Sequence, residues 1–247
     1  MVEIKKSRFG VTYSYVWLAG RPSLASAFRA VAYNKCACTD PVAGFVRKRK
    51  FAQIIDLSQP AEALLGDMSK NTAYEIRRAR RDGVRLRTVD DVDAFSAFYN
   101  AFARSKQRTT ISSDELRHMR WGTETVGLAA SQNGRDLAMH GYVVDAPSKR
   151  VCHLYAATHF RHAADNAERR AISRANRFLH YEAMLYFKGR GILTCDLGDV
   201  TPGTEDEELL KIYQYKKEFG GRMAEHVEYY SYPMYFMTLA NHLIGFL

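Results

Sequence analysis

The sequence lacks several features that would assign it to a protein class at once. No apolar run approaches the roughly 18 residues of a membrane span, and no apolar stretch of secretory type follows the basic N-terminal residues. Of the four cysteines, only Cys36 and Cys38 lie close together, and no histidine stands at zinc-finger spacing from them. We therefore expect no metal site, and we expect a cytoplasmic protein with reduced thiols.

Low-complexity tracts and internal repeats are also absent, and little of the chain is predicted to be coil. This excludes a disordered interaction protein. Charge, in contrast, is unbalanced, because 36 lysines and arginines against 27 acidic residues give a formal net charge of +9. Such a surplus favours an anionic partner: nucleic acid, a nucleotide cofactor, a phosphorylated sugar or a membrane surface. The charge alone does not choose among them.

The hydrophobic pattern predicts an α/β (α+β) fold. From residue 84 onward the strands and helices follow the order β-α-α-β-β-β-α-β-α-β. Three consecutive strands that then alternate with helices imply a mixed, mostly antiparallel central sheet with helices on both faces. Residues 1–69 are predicted to be strands and loops of a reduced accessory part, with the basic run 47–50 in a solvated turn. Residues 70–247 are predicted to form the main domain.

Residues 71–82 are predicted to form a helix that ends at Gly83. Its residues Tyr74, Ile76 and Ala79 would point inward, and four arginines would make the outer face strongly positive. These are Arg77, Arg78, Arg80 and Arg81. Four arginines in five positions exceed what solubility needs, so this face is a candidate surface for an anionic ligand.

Two stretches of the sequence resemble a known family. The first runs from Ile55–Ser58 (IDLS) through Lys70–Ala79 (KNTAYEIRRA) to Gly83 and Val84. It is similar to a strand, a K-x-T-R-Y-x-I-R-x-A helix and a following G-V in the FemAB-like branch of the GNAT (acyl-CoA N-acyltransferase) superfamily. The sequence departs from that pattern at Ala73, where the family usually carries arginine.

The second stretch contains three segments in the order that the family has them. Asn176–Gly191 resembles the family's long helix, Cys195–Gly198 its D-x-G strand end, and Tyr213–Gly221 (YQYKKEFGG) its F-K-x-x-F-G segment. The resemblance covers about residues 55–231. FemAB proteins normally hold two GNAT-like halves, whereas this chain has room for one full copy and a reduced N-terminal part.

The resemblance implies a set of catalytic residues. Lys216 matches the lysine that contacts the ester carbonyl of an aminoacyl donor and stabilises its developing negative charge. Tyr213 or Tyr215 would protonate the leaving group, and Asp196 would orient the acceptor amine. On the residues alone, a solvated lysine and packing tyrosines are the alternatives.

The donor is expected where the fourth strand ends, near Tyr155–Phe160. The stretch Phe160–Arg170 lacks the glycine-rich turn with which CoA-using GNAT proteins cradle a pyrophosphate. If acyl-CoA is the donor, four side chains are the candidates to hold it. These are Tyr155, Arg161, Arg169 and Arg170. The alternative donor is an aminoacyl-tRNA, which the net positive charge would suit.

His140, Arg77 and Asp199 are expected to bind the substrate. His140 stands with His153 and His159 in consecutive strands, and any of the three is a candidate general base because histidine titrates near neutral pH. His153 and His159 share strand parity with the tyrosine between them, so these side chains are predicted to line one face.

Together with these features, the resemblance implies an N-acyltransferase that moves an acyl or aminoacyl group from acyl-CoA or aminoacyl-tRNA to an amino group. That the acceptor is a cell-envelope sugar or peptide follows from the resemblance alone. The acceptor would be a small or lipid-linked molecule. The apolar, aromatic residues 232–247 would close the core or contact a membrane surface. The alternative is a non-catalytic GNAT-like module that binds RNA or another anionic polymer through the arginines of residues 77–81. The sequence leaves the oligomeric state open.

Overall fold

A computed structural model describes residues 1–8 and 10–243 of the chain. The chain forms two compact units, one of residues 1–52 and 223–247 and the other of residues 53–222. The domain boundary predicted after residue 69 falls inside the second unit. The last four residues of the predicted 232–247 segment lie outside the described residues.

The strands are β1 (Val2–Arg8), β2 (Val11–Trp17), β3 (Val31–Cys36), β4 (Phe45–Asp56), β5 (Arg85–Thr88), β6 (Thr125–Gln132), β7 (Arg135–Asp145), β8 (Arg150–Thr158), β9 (Thr194–Val200) and β10 (Arg222–Ser231). The helices are α1 (Ala61–Gly66), α2 (Lys70–Arg81), α3 (Val92–Ser105), α4 (Ser113–His118), α5 (Asn166–Lys188), α6 (Glu207–Lys217) and α7 (Tyr232–Leu243). From β5 to β10 the order of elements is the predicted one. Strands β1 and β3 were not predicted.

Side-chain caps explain where the helices begin. The residues before α2 to α6 each accept hydrogen bonds from first-turn amides; they are Ser69, Asp91, Ser112, Asp165 and Asp206. At α4 the Glu115 side chain also accepts from the backbone of Ser112, which completes a capping box. Among the described residues, no helix combines the length and the apolar character that crossing a membrane requires.

In the first unit the strand order is β1-β2-β3-β10-β4. β2 and β3 are parallel, whereas β1 with β2 and β3 with β10 are antiparallel. The basic run 47–50, predicted in a turn, lies inside β4. Arg49 pairs with Glu225 at 3.4 Å and Lys50 with Glu228 at 3.0 Å. The turn prediction is wrong because these acids of β10, distant in sequence, neutralise the basic strand.

In the second unit the strand order is β9-β8-β7-β6-β5. β5 to β8 are antiparallel neighbours, and β8 and β9 are parallel. Gly141 of β7 faces Phe95 of α3, whereas the next residue, Tyr142, contacts Phe187 of α5. Since successive strand residues point to opposite faces, α3 and α5 cover opposite faces of this sheet. The predicted mixed, mostly antiparallel sheet with helices on both faces is confirmed.

Helix α2 packs against α5. Its buried face contains Ala73, Ile76 and Ala79, so Ala73 lies in the packed face of the helix. Tyr74, predicted to point inward, is 47% exposed. At about 100° per residue, Tyr74 lies opposite the buried face, where Arg78 donates to its hydroxyl. The prediction for Tyr74 is wrong because its angular position around the helix axis, and not its aromatic character, decides which face it lies on.

Candidate active site

Lys216 lies where β8 and β9 separate. The parallel register of the two strands ends at Cys152 and Asp196, and β8 then continues to Thr158 beside β7. Lys216 is on α6, and its Nζ donates to the carbonyl oxygen of Asp199 at 2.8 Å. Lys216 and Asp199, both predicted site residues, therefore lie in contact at the end of β9, and it is the main-chain carbonyl of Asp199, not its side chain, that accepts this hydrogen bond.

The D-x-G end of β9 makes room for this ammonium group. Gly198 has a φ of +91°, and a Cβ placed there would lie 3.0 Å from Nζ of Lys216 and 3.6 Å from the carbonyl oxygen of His153. The carboxylate of Asp196, which is 2% exposed, accepts a 2.7 Å hydrogen bond from the N–H of Gly198. Asp196 therefore holds the peptide that leaves space for the lysine.

A β-bulge in β8 directs His153 towards α5. Gly141 stands opposite Tyr155 and Tyr142 opposite His153, so Leu154 is an extra residue in β8. His153 packs against Tyr142 with ring centroids 5.1 Å apart, while Tyr155 packs against aromatic rings of α3. The prediction that His153 and Tyr155 share a face is wrong, because a bulge reverses the strand parity.

Three histidines from β7, β8 and α5 meet in this region. The ring centroid of His140 lies 4.5 Å from that of His153 and 4.4 Å from that of His180. Among the described residues, Nε2 of His153 and Nδ1 of His180 are buried without a hydrogen-bond partner. Each such atom costs about 1–3 kcal/mol of stability, which marks the cluster as a candidate for function. In the described part of the chain, no group of histidine, cysteine and acidic side chains is arranged to hold a metal ion.

Burial favours the neutral form of these histidines. It lowers the pKa of His140 to about 4, against a smaller opposing effect of the hydrogen bond to Asn176. Burial also lowers the pKa of His153 and of His180 well below the usual range, and the charges of His140 and Lys216 lower both further. At neutral pH, uncharged imidazole rings therefore stand beside a lysine ammonium.

A hydrogen-bond chain connects His140 to Tyr215. The ring of His140 is 3.0 Å from the Tyr142 hydroxyl through Nδ1 and 2.9 Å from Oδ1 of Asn176 through Nε2. Nδ2 of Asn176 donates to the Tyr215 hydroxyl at 2.6 Å. Burial raises the pKa of Tyr215, so its hydroxyl keeps its proton. Both nitrogens of His140 are engaged within the protein, whereas Tyr215 ends the chain beside His180, with ring centroids 5.8 Å apart.

The C-terminal end of α6 is anchored on three sides. The carboxylate of Glu218 accepts from Oγ1 of Thr72 at 2.9 Å and from Arg177 at 3.1 Å. Gly221 has a φ of +72°, and a Cβ there would lie 2.3 Å from the carbonyl oxygen of Ile54. The F-K-x-x-F-G segment is thus fixed to α2, α5 and β4, which explains its two successive glycines.

The other predicted ligands lie outside this cluster. Four of them are exposed: Arg77, Arg161, Arg169 and Arg170. Arg161 donates to the carbonyl oxygen of Ser105 at 3.0 Å. Tyr155 lies on the α3 face against Tyr99, with ring centroids 5.2 Å apart. Tyr213 is half-buried on α6, two residues before Tyr215.

The start of α5 already holds two carboxylates. Asp165 accepts from the N–H of Glu168 at 2.8 Å, and the Glu168 carboxylate accepts from the N–H of Ala164 at 2.6 Å. The Ala164 N–H and the side chain of Arg135 lower the pKa of Glu168, so this group is negative. A CoA pyrophosphate would need the same amides and would meet like charge, so these residues do not fit that group.

Sequence reasoning did not select Asn176 or His180. They stand four residues apart in α5, on the face that also buries Ile172, Ala175 and Leu179. The available signal was an amide and an imidazole at helical spacing on an apolar stripe. Nothing in that local pattern separates this pair from satisfied core residues, because their partners lie on β7, β8 and α6.

No sequence profile of a known family matches this chain. No curated protein sequence matches it either. Similarity to this chain is found among solved structures.

FemX is similar to this chain with a TM-score of 0.65 at 11% identity, over 95% of this chain and 85% of FemX. The C-terminal domain of a proposed lysylphosphatidylglycerol synthetase from Agrobacterium fabrum has a TM-score of 0.59 at 13% identity, over 99% and 86% of the two chains. L-PGS from Bacillus licheniformis has a TM-score of 0.56 at 12% identity, over 88% and 73%. The chain therefore has a GNAT-like, FemAB-related fold, as the sequence resemblance predicted.

Proposed function

We propose that this protein is an N-acyltransferase that moves an acyl or aminoacyl group from an activated donor to an amino group of a cell-envelope sugar or peptide. The observation that carries the proposal is the Lys216 ammonium at the separation of β8 and β9, held by the Asp199 carbonyl over Gly198. The name lysylphosphatidylglycerol synthetase denotes attachment of a lysyl group, and this supports aminoacyl transfer as the reaction type.

The lysine supplies the charge that acyl transfer needs. As the amine attacks, negative charge develops on the carbonyl oxygen of the donor, and a fixed ammonium stabilises it without reorganisation. The Asp199 carbonyl and the absent side chain of Gly198 hold Lys216 in place before any donor binds. Asp196 contributes by fixing the Gly198 peptide, and its role of orienting the acceptor amine stays a prediction.

The histidines provide a path for the proton. When the C–N bond forms, the amine loses a proton, and His153 accepts it through its buried Nε2. Tyr215, protonated because burial raises its pKa, donates a proton to the leaving oxygen when the acyl–oxygen bond breaks. The imidazolium of His153 then loses its proton and Tyr215 regains one, so that the net result is transfer of one proton from the amine to the leaving oxygen. Tyr213 is the alternative donor to the leaving group.

For the donor, the start of α5 favours an aminoacyl ester over acyl-CoA. Asp165 and Glu168 occupy the amides that would cradle a pyrophosphate. Exposed Arg169 and Arg170 on the same turn, together with the net charge of +9, suit the phosphate backbone of an aminoacyl-tRNA.

The structure gives less support to a non-catalytic module that binds RNA through α2. Arg78 lies 3.8 Å from the Asp82 carboxylate, and Arg80 forms an ion pair with Glu182. Two of the four arginines are therefore already paired with acids, which weakens the positive surface that this alternative requires.

The test is a transfer assay with charged tRNA, acetyl-CoA and longer acyl-CoA esters, using amino sugars and lysine-containing peptides as acceptors. Lys216→Ala is expected to lower kcat by about 100- to 1,000-fold, the usual effect of removing a group that stabilises an oxyanion. Lys217→Ala is the matched control, since Lys217 is adjacent and exposed. Equal turnover in the two variants would refute the role of Lys216. Salt-dependent RNA binding without transfer from any donor would favour the module.

A further inference from the structure

The most exposed large apolar side chains of the described residues belong to the first unit. They are Phe28 at 89%, Met1 at 67%, Phe236 at 62% and Leu24 at 61%. Single exposed apolar residues are ordinary on a protein surface, but adjoining ones mark an interaction site. Whether these side chains adjoin each other therefore decides what they imply.

Two of them lie in a loop that contacts the start of α7. The loop, residues 20–30, carries Leu24 and Phe28. Ser231, the residue before α7, donates from Oγ to the carbonyl oxygen of Arg29 at 2.6 Å. A Cβ on Gly44 would meet Ala27 of the loop, and the Gly44 carbonyl oxygen accepts from the N–H of Tyr232, the first residue of α7, so the loop lies beside the start of this helix.

Helix α7 extends this surface with an apolar stripe. Tyr232, Phe236 and Leu239 are 52%, 62% and 43% exposed. Their spacing of four and three residues places them on one face of the helix, and Met234, at 1% exposure, anchors another face in the protein. We call Leu24, Phe28, Tyr232, Phe236 and Leu239 the apolar patch.

Positive charge adjoins the apolar patch. Arg21 and Arg29 are exposed in the same loop, and among the described residues neither forms an ion pair. Helix α7 contains no acidic residue. Glu3 lines a cavity together with Arg29. Aromatic residues beside arginines are the combination that binds the boundary between lipid headgroups and acyl chains.

We propose that the apolar patch docks on an anionic lipid bilayer, with Phe28 and Phe236 inserted below the headgroups and Arg21 and Arg29 at the phosphates. A bilayer fits better than a protein partner, because a phenylalanine that is 89% exposed protrudes and a bilayer accepts it without a complementary pocket. This inference goes beyond the proposed acyl transfer and does not depend on it.

The experiment is vesicle flotation with phosphatidylcholine alone and with added phosphatidylglycerol. The full chain is expected to float with the anionic vesicles and to release as salt rises. Phe28→Glu with Phe236→Glu should bind about 100-fold more weakly or worse, from the burial free energies of two phenylalanine side chains. Arg21→Ala with Arg29→Ala should weaken binding to anionic vesicles and reduce its salt dependence.

Leu193→Glu is the matched control, because Leu193 is 43% exposed and lies in the second unit. Unchanged melting temperatures establish that the variants fold. The proposal is wrong if the protein floats with neither vesicle, or if the control variant loses as much binding as the patch variants. It is also wrong if the patch mediates a dimer that Phe28→Glu dissociates, measured by light scattering, without vesicle binding. Transfer to a soluble acceptor is expected to be unchanged, so failure here is distinct from failure of the proposed function.

Discussion

Replacing Gly198 by alanine tests whether the position of the Lys216 ammonium controls turnover. The new Cβ would lie 3.0 Å from Nζ, inside the roughly 3.5 Å at which such atoms attract, so the ammonium must move by a few tenths of an ångström. Since a displacement of about 1 Å from the reactive geometry costs up to about 100-fold in rate, we expect this smaller shift to lower kcat by about 3- to 10-fold.

The same substitution strains the backbone, and a control separates the two effects. Gly198 has a φ of +91°, so alanine there costs about 1–2 kcal/mol of stability. Gly203 has a φ of +71°, and no atom lies within 4 Å of the point that a Cβ would occupy there. Gly203→Ala should therefore lose similar stability and keep its turnover.

The assays are urea unfolding and steady-state transfer with the donor that the wild-type protein uses. A double variant, Gly198→Ala with Lys216→Ala, should be no slower than Lys216→Ala alone, because both changes act on one group. The reasoning is refuted if Gly198→Ala and Gly203→Ala have the same kcat, since the lysine position would then have no effect on the reaction.

Two further predictions concern stability. The folded pKa of His140 is about 4 against 6.5 unfolded, so below pH 6.5 the unfolded chain binds the additional proton and stability falls as pH decreases. Between pH 7 and pH 4 the His140 side chain removes about 3 kcal/mol from the free energy of unfolding. In urea titrations, the free energy of unfolding of His140→Gln should therefore depend less on pH than that of the wild-type protein. Equal pH dependence in the two proteins would contradict this. Gly221→Ala should lower the free energy of unfolding by about 3 kcal/mol or more, because its Cβ would lie 2.3 Å from the backbone carbonyl oxygen of Ile54. Gly191 has a similar φ, and no atom lies within 4 Å of the point that a Cβ would occupy there. In the same urea assay, Gly191→Ala should therefore lower the free energy of unfolding by only about 1–2 kcal/mol. Equal losses in the two glycine variants would contradict the steric argument.

Much of the second unit follows from local signals. The order of elements from β5 to α6 could be predicted because apolar periodicity and caps such as Ser112 act within a few residues. Lys216 was selected in another way, through the resemblance of the D-x-G and F-K-x-x-F-G segments to a known family, and its role stays a prediction. The glycines at 198 and 221 have positive φ and close neighbours, which makes such segments recognisable.

Elements whose stability comes from distant partners were missed. The basic strand β4 looked like a turn, because its acids, Glu225 and Glu228, are far away in sequence. The α2 arginines looked uniformly available, although Arg80 pairs with Glu182 of α5. In both cases the deciding interaction is an ion pair that forms only after the chain has folded.

The sequence by itself determined the order of elements from β5 to α6, because apolar periodicity and helix caps depend on neighbouring residues; the lysine segment was identified by its resemblance to a known family. Only the tertiary structure decided what surrounds the lysine. A single extra residue in β8 moves His153 to the α5 face, and packing of β7, β8 and α5 then brings it to His140 and His180. Strand register and helix packing join residues far apart in the chain, so no local pattern encodes this cluster.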